Sequence, residues 1–124
     1  MNTVLVCDDE KDIVSALKIY LESEGYAVEC AYDGAQALAL LESRDISLVL
    51  MDIMMPVMNG YEATKMIRSL DREDAKEIPI IAMTANAFTE DRIRAKEAGM
   101  DEHVAKPIDV ELLIKVIHKL VKHN

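Results

Sequence analysis

The sequence predicts an open, doubly wound α/β sheet: five parallel strands with five helices on two faces. Three observations lead there. Short apolar runs alternate with longer amphipathic stretches five times along 124 residues. Three of those runs are almost unbroken in Val, Ile, Leu and Met, as strands are when both faces are covered in a parallel sheet. Turn and cap residues punctuate the boundaries, and successive strand–helix–strand units cross over right-handedly.

The first run, residues 3–7 (TVLVC), ends in Asp8-Asp9-Glu10 and feeds a helix over 11–24. Val14, Leu17 and Leu21 give that helix its apolar stripe, and Gly25 suits a left-handed C-cap. Residues 26–32 (YAVECAY) form the second strand, and Asp33-Gly34 opens a helix over 34–43. Residues 46–51 (ISLVLM) form the third, closed by Asp52, and Asn59-Gly60 reads as the turn into a helix over 59–72. Residues 78–83 (IPIIAM) form the fourth, followed by Thr84 and by a helix over 88–98 that Gly99 terminates. The fifth run, 102–105 (EHVA), is the weakest. Lys106-Pro107 follows it, and Asp109 caps a last helix over 109–122. The stripe of that helix is Leu112, Leu113, Val116, Ile117 and Leu120.

This length fits one domain, residues 1–124. The net charge of −9, from 23 acidic and 14 basic residues, argues against direct nucleic-acid binding, which calls for a basic face. Cys7 and Cys30 form no CxxC pair and no Cys/His cluster of zinc spacing, so they are expected to be buried free thiols in a reducing compartment. No run approaches a membrane span and no secretory leader is visible, so the expectation is a cytoplasmic chain without membrane insertion.

Ligands of open α/β sheets sit beyond the carboxyl ends of the strands. Here those ends carry Asp8 and Asp9, Asp52, Thr84 and Lys106. Each alone has an ordinary reading: acids favoured by a helix dipole, a turn aspartate, a strand-end threonine, a solvated lysine. Four strand ends converging make a site. Three crowded carboxylates should raise at least one pKa or require a cation, and oxygen ligands with open positions suit Mg²⁺. Three aspartates, one lysine and one Mg²⁺ sum to zero formal charge, which lets a dianionic phosphoryl group approach. Asp52 is the candidate nucleophile, because a carboxylate can form an acyl phosphate. Lys106 and the Thr84 hydroxyl are then placed to stabilise charge on the transferring oxygens. An X-Pro bond can be cis, and a cis Lys106–Pro107 bond would set the direction of the lysine.

At these residues the chain closely resembles the response-regulator receiver family. The resemblance covers essentially its whole length: VLVCDDE at 4–10, MDIMMPVMNGYEA at 51–63, AMTAN at 82–86 and AKPI at 105–108. It implies a flavodoxin-like sheet of order 2-1-3-4-5, an order that general accounts of this fold already give for a receiver-type protein. It implies a phosphoacceptor role for Asp52 in two-component or phosphorelay signalling. The phosphodonor would be a phosphohistidine on a histidine kinase or histidine phosphotransfer protein, and the output a downstream protein target. It implies Mg²⁺, with Mn²⁺ as a substitute, held by Asp8, Asp9, Asp52 and the Met54 backbone carbonyl. Thr84 and the aromatic position of the fifth strand form the family's switch, and that position here is His103, a smaller and ionisable ring. Met54 and Asn86 stand where side chains tune phosphoryl lifetime. The segment at 84–108 is more similar to receivers of hybrid kinases and free-standing relay proteins than to those of winged-helix regulators. Ile13, Ala16 and Tyr20 are apolar groups in excess of the first helix's core stripe, and with Pro107 they are candidates for docking a partner's histidine-bearing helix.

Two other classes compete. A phosphatase or phosphomutase of the haloacid-dehalogenase type places a second Asp two residues after its nucleophile, where this chain has Met54. A phosphorylation-independent interaction module would not need the full set of Asp8, Asp9, Asp52, Thr84 and Lys106. The expected role is therefore a phosphoacceptor rather than a turnover enzyme, one that assists its own phosphorylation and dephosphorylation.

Overall fold

A computed structural model describes residues 2–85 and 89–121. The elements run β1 (Thr3–Cys7), α1 (Lys11–Ser23), β2 (Ala27–Ala31), α2 (Gly34–Ser43), β3 (Leu48–Asp52), α3 (Gly60–Arg68), β4 (Ile80–Thr84), α4 (Thr89–Ala98), β5 (Glu102–Ala105) and α5 (Val110–Val121). The strands pair in parallel in the order β2-β1-β3-β4-β5.

The alternating faces of each strand separate two cores, because successive side chains point to opposite sides. Leu5, Cys7, Val49, Met51, Ile80 and Ala82 pack against α2, α3 and α4 through Leu38, Leu41, Ile67, Ala95 and Ala98. Val4, Val6, Leu48, Leu50, Ile81 and Met83 pack against α1 and α5 through Val14, Leu17, Leu21, Leu113 and Ile117. β3 and β4 are buried at every position, which is why their sequences are apolar up to the terminal Asp52 and Thr84. Gly25 and Gly99 take φ +92° and +104°, as expected of residues that end α1 and α4. Asn59 caps α3 reciprocally with Glu62 in a capping box, and the Asp109 carboxylate accepts from the Leu112 N–H at 3.3 Å.

Two expectations change. The third helix, expected over 59–72, ends at Arg68: the Ser69 and Leu70 N–H groups donate three residues back, to the Met66 and Ile67 carbonyls, both at 3.1 Å, and the chain beyond is tied to other segments. Arg72 pairs with Asp74 and donates to the carbonyls of Leu41 at 2.8 Å and Ile46 at 3.2 Å. Leu112, expected in the stripe of α5, is half exposed, while Ile114 packs against the core instead.

Arg68 ties α3 to the segments that lead into β4 and β5. Its guanidinium donates to the carbonyls of Gly99 (2.6 and 3.1 Å), Ala75 (3.1 Å) and Ile78 (2.7 Å), and reaches Asp101 at 3.1 Å. Asp101 in turn accepts from the Ile80 N–H at 2.8 Å. Replacing Arg68 by Met keeps the volume and strips those carbonyls of partners. The expected loss is about 3 kcal/mol in urea unfolding; a loss below about 1 kcal/mol would deny the tie its structural weight.

Candidate functional site

Parallel pairing sets the strand ends side by side. Cys7 is in register with Met51, so Asp8 follows beside Asp52. Asp52 is in register with Met83, and Thr84 with Ala105. β2 flanks β1 on one side and β3 on the other, which makes the β1/β3 edge the switch point where open α/β sheets leave a crevice. Backbone bonds extend the pairing to the site residues: the Asp8 N–H donates to the Ala31 carbonyl at 3.1 Å, and the Lys106 N–H to the Thr84 carbonyl at 2.7 Å.

Asp8, Asp9 and Asp52 each bring a carboxylate oxygen to one spot, all within 4.8 Å of one another. Asp8 is fully buried, Asp52 is 2 % exposed, and Asp9 is open to solvent. Lys106 Nζ lies 2.8 Å from Asp8 Oδ2, 3.5 Å from Asp52 Oδ1 and 3.7 Å from Glu10 Oε1. The Lys106–Pro107 peptide bond is cis. Met54 donates its N–H to Asp52 Oδ1 at 3.1 Å, and Glu10 its N–H to Asp8 Oδ1 at 2.9 Å.

The Asp52 carboxyl is pushed up from 3.8 to about 6. Burial is the largest cause and the Asp8 charge adds to it, while the Met54 N–H and Lys106 pull the other way. Crowding of carboxylates, the cause expected from the sequence, is thus secondary to loss of water. Burial pulls the Lys106 ammonium down, but Asp8, Asp52 and Glu10 outweigh it and the net shift is upward. Cys7, one residue before the cluster, is lifted to about 12 by burial and by the surrounding acids, and so stays a thiol. The donor set is therefore oxygen alone, with one carboxylate facing solvent. One ammonium among four acids leaves negative charge to spare. That arrangement fits a hard divalent cation.

Thr84 is fully buried at the end of β4, and its hydroxyl faces the Val104 carbonyl at 3.5 Å, the outer limit of a hydrogen bond. His103 is half buried on β5, in register with Ala82, and lines a groove of about 360 Å³ with Arg92, Lys96 and Met100 of the α4 side. Ile13, Ala16 and Tyr20 line an apolar groove of about 390 Å³ with Lys106, Pro107 and Ile108. Ile13 also packs on the core beneath, so it belongs to both the stripe and the groove. Met54 is exposed, and Asn86 lies outside the described residues. Cys30, expected to be buried, is half buried.

Sequence reasoning passed over two residues here. Glu10 contacts Lys106 and was legible as the third acid of a run. Gly60 was legible only as turn punctuation, yet α3 starts so close to β3 that a Cβ at Gly60 would collide with the Asp52 carbonyl oxygen and stand 2.7 Å from Ile53 Cα.

Comparison with known proteins places this geometry. The family model for the response regulator receiver domain matches residues 4–118. The transcriptional regulatory protein CpxR of Escherichia coli K12 is 36% identical over 124 residues, all of this chain but 51% of that protein. The chain thus spans about half the length of the CpxR relatives it matches. Among solved structures, the Vibrio cholerae chemotaxis protein CheY4 superposes with TM-score 0.91 at 32% identity, covering 97% of this chain and 98% of that one. The receiver domain of the sensor histidine kinase PA1611 from Pseudomonas aeruginosa PAO1 superposes with TM-score 0.87 at 34% identity, with 98% of each chain covered, and has a magnesium ion coordinated in its active-site cleft. With strand order, acid cluster and family model in agreement, this chain belongs to the response regulator receiver domain family.

Proposed function

We propose that this chain accepts a phosphoryl group on Asp52 from a phosphohistidine of a histidine kinase or histidine phosphotransfer protein, and thereby switches its protein contacts. The observation that carries the reading is the cluster of Asp8, Asp9 and Asp52 with Lys106 among them. An Asp52 carboxylate oxygen attacks phosphorus and the P–N bond breaks. Its electron pair stays on the imidazole, and an acyl phosphate remains. Asp8, Asp9 and Asp52 with the Met54 carbonyl would hold Mg²⁺, or Mn²⁺ in its place. A bound divalent ion supplies neutralisation of the phosphoryl oxygens. Lys106 is 3.5 Å from Asp52 and supplies a second positive charge that needs no metal. The Thr84 hydroxyl turns from Val104 toward the new oxygens, which links the site to β5 and His103. Met54 and Asn86 set how readily water reaches the acyl phosphate, so the chain assists its own dephosphorylation as well.

The groove of Ile13, Ala16, Tyr20 and Pro107 receives the partner's histidine-bearing helix. Among the described residues no helix is long and apolar enough to cross a membrane, and the reading assigns the chain, as one receiver domain over residues 1–124, to the cytoplasm, without direct contact to nucleic acid. Acetyl phosphate with Mg²⁺ is expected to label the chain stoichiometrically and chelation to abolish the label. Labelling indifferent to metal would remove this function, as would steady turnover of phosphate esters.

His103 is the departure that bears on output. His103→Phe is expected to leave acetyl phosphate labelling within about twofold and to change the ratio of target affinities between phosphorylated and unphosphorylated forms. An unchanged ratio would take His103 out of the switch.

A further inference from the structure

The helix with the lightest apolar attachment is α4. Among its described side chains only Ala95 and Ala98 are buried, and Ile93, its one large aliphatic residue, is 51 % exposed. By contrast α1 buries Val14, Leu17 and Leu21, and α5 buries Leu113 and Ile117. A helix of ten residues does not stand by its own backbone bonds and needs a packed face. The rest of the hold on α4 comes from α3. The Tyr61 ring is buried, the Arg94 guanidinium lies over it at 4.6 Å from its centre, and its hydroxyl faces the Asp91 carbonyl at 3.5 Å. Asp91 and Arg94 are three residues apart on one side of the helix, so a single ring engages α4 at both.

That ring is tied to the end of β3. Tyr61 follows Gly60, which sits against the Asp52 carbonyl with no room for a Cβ and donates its N–H to the Ile53 carbonyl at 3.2 Å. A contact so tight has no slack, so a displacement at the end of β3 reaches the first turn of α3. Phosphorylation supplies a cause for displacement. Asp52 Oδ1 accepts from the Met54 N–H and lies 3.5 Å from Lys106 Nζ, and both partners must readjust when the carboxylate becomes an acyl phosphate. On its other side α4 lines the groove that holds His103, through Arg92, Ala95 and Lys96. The hold on α4 therefore sets that groove as well, and the elements that move in switching are those of low local stability.

We infer that Tyr61 and Arg94 form a latch that keeps α4 against α3 in the unphosphorylated chain and is released when Asp52 carries a phosphoryl group. This rests on the phosphotransfer reading above and adds a second connection to α4, from α3, beside the one through Thr84 and His103. The test uses Arg94→Gln, Arg94→Lys and Tyr61→Leu, with beryllofluoride and Mg²⁺ as the phosphoryl mimic. In chelator, Arg94→Gln is expected to speed amide hydrogen exchange across residues 93–98 by about threefold to fivefold, with α1 and α5 unchanged. Latch and phosphoryl group favour opposite arrangements, so the same variant should bind beryllofluoride about threefold to fivefold more tightly in a ¹⁹F NMR titration. Arg94→Lys keeps a cation over the ring and should stay near wild type in both readouts. Arg94→Gln in a Tyr61→Leu background should add nothing further, since no ring is left for the cation to cover. Unchanged beryllofluoride affinity in Arg94→Gln overturns the inference even if exchange rises, because a contact kept in both arrangements only supports the fold. Unchanged exchange across α4 overturns it too, as does an undiminished effect of Arg94→Gln without the ring. A wild type that binds no beryllofluoride in Mg²⁺ would instead strike the phosphotransfer reading.

Discussion

Asp52→Asn is expected to abolish phosphoryl labelling and, in chelator at pH 7.5, to raise the melting temperature by about 6 °C, a gain of about 2 kcal/mol. The loss of label follows because the amide lacks the anionic oxygen that attacks phosphorus. The gain follows from where the carboxyl sits. Its folded pKa of about 6 lies above the ordinary 3.8, chiefly through burial. Below about pH 4 the group is protonated folded or unfolded, and it contributes no difference. As pH rises from 4 to 6 the unfolded chain releases the proton while the folded chain keeps it, so stability falls. Above 6 the folded chain holds a buried charge and the full cost remains. The amide has no proton to lose, so the two melting curves should converge toward pH 4. Mg²⁺ should reverse the order at neutral pH, because it binds the folded wild-type site and so stabilises it by mass action. Calorimetry across pH 4–8, with and without Mg²⁺, checks all three. A wild type that is the more stable in chelator at pH 7.5 would contradict the account.

Gly60→Ala is expected to cost about 2–3 kcal/mol in urea unfolding and to slow labelling at least about tenfold where the fold survives. An added Cβ would strike the Asp52 carbonyl oxygen, with Ile53 Cα at 2.7 Å and the Asp52 carbonyl carbon at 2.9 Å. All three are backbone, fixed by strand pairing, and no rotamer change relieves them. The Gly60 N–H also donates to the Ile53 carbonyl at 3.2 Å, so the helix cannot retreat without losing that bond. Either α3 or the end of β3 moves, and the end of β3 is Asp52. Gly34 is the control. A Cβ there meets only the flexible side chain of Met58, so Gly34→Ala should cost little and leave labelling intact. Equal effects at the two glycines would show that backbone contact is not what makes Gly60 necessary.

The two departures from the expected elements share a cause. Helical periodicity carried α3 on to residue 72, but it does not register that Arg68 and Arg72 have carbonyls of other segments within reach. Leu112 matched a stripe by spacing, and only the placement of α5 on the sheet decided that Ile114 would pack instead. Such choices rest on contacts distant in sequence, which local pattern does not hold.

The sequence by itself determined the architecture and the chemistry of the edge. Unbroken apolar runs require cover on both faces, and a strand's last residue is named by where its run stops, so Asp8, Asp52, Thr84 and Lys106 were legible as strand ends. Tertiary structure alone decided how those ends act on one another. Burial, more than crowding, lifts Asp52; Lys106 lies among three acids; and Gly60 must lack a side chain. Each depends on distances across separate strands and on water excluded between them, and neither quantity is written in the order of residues.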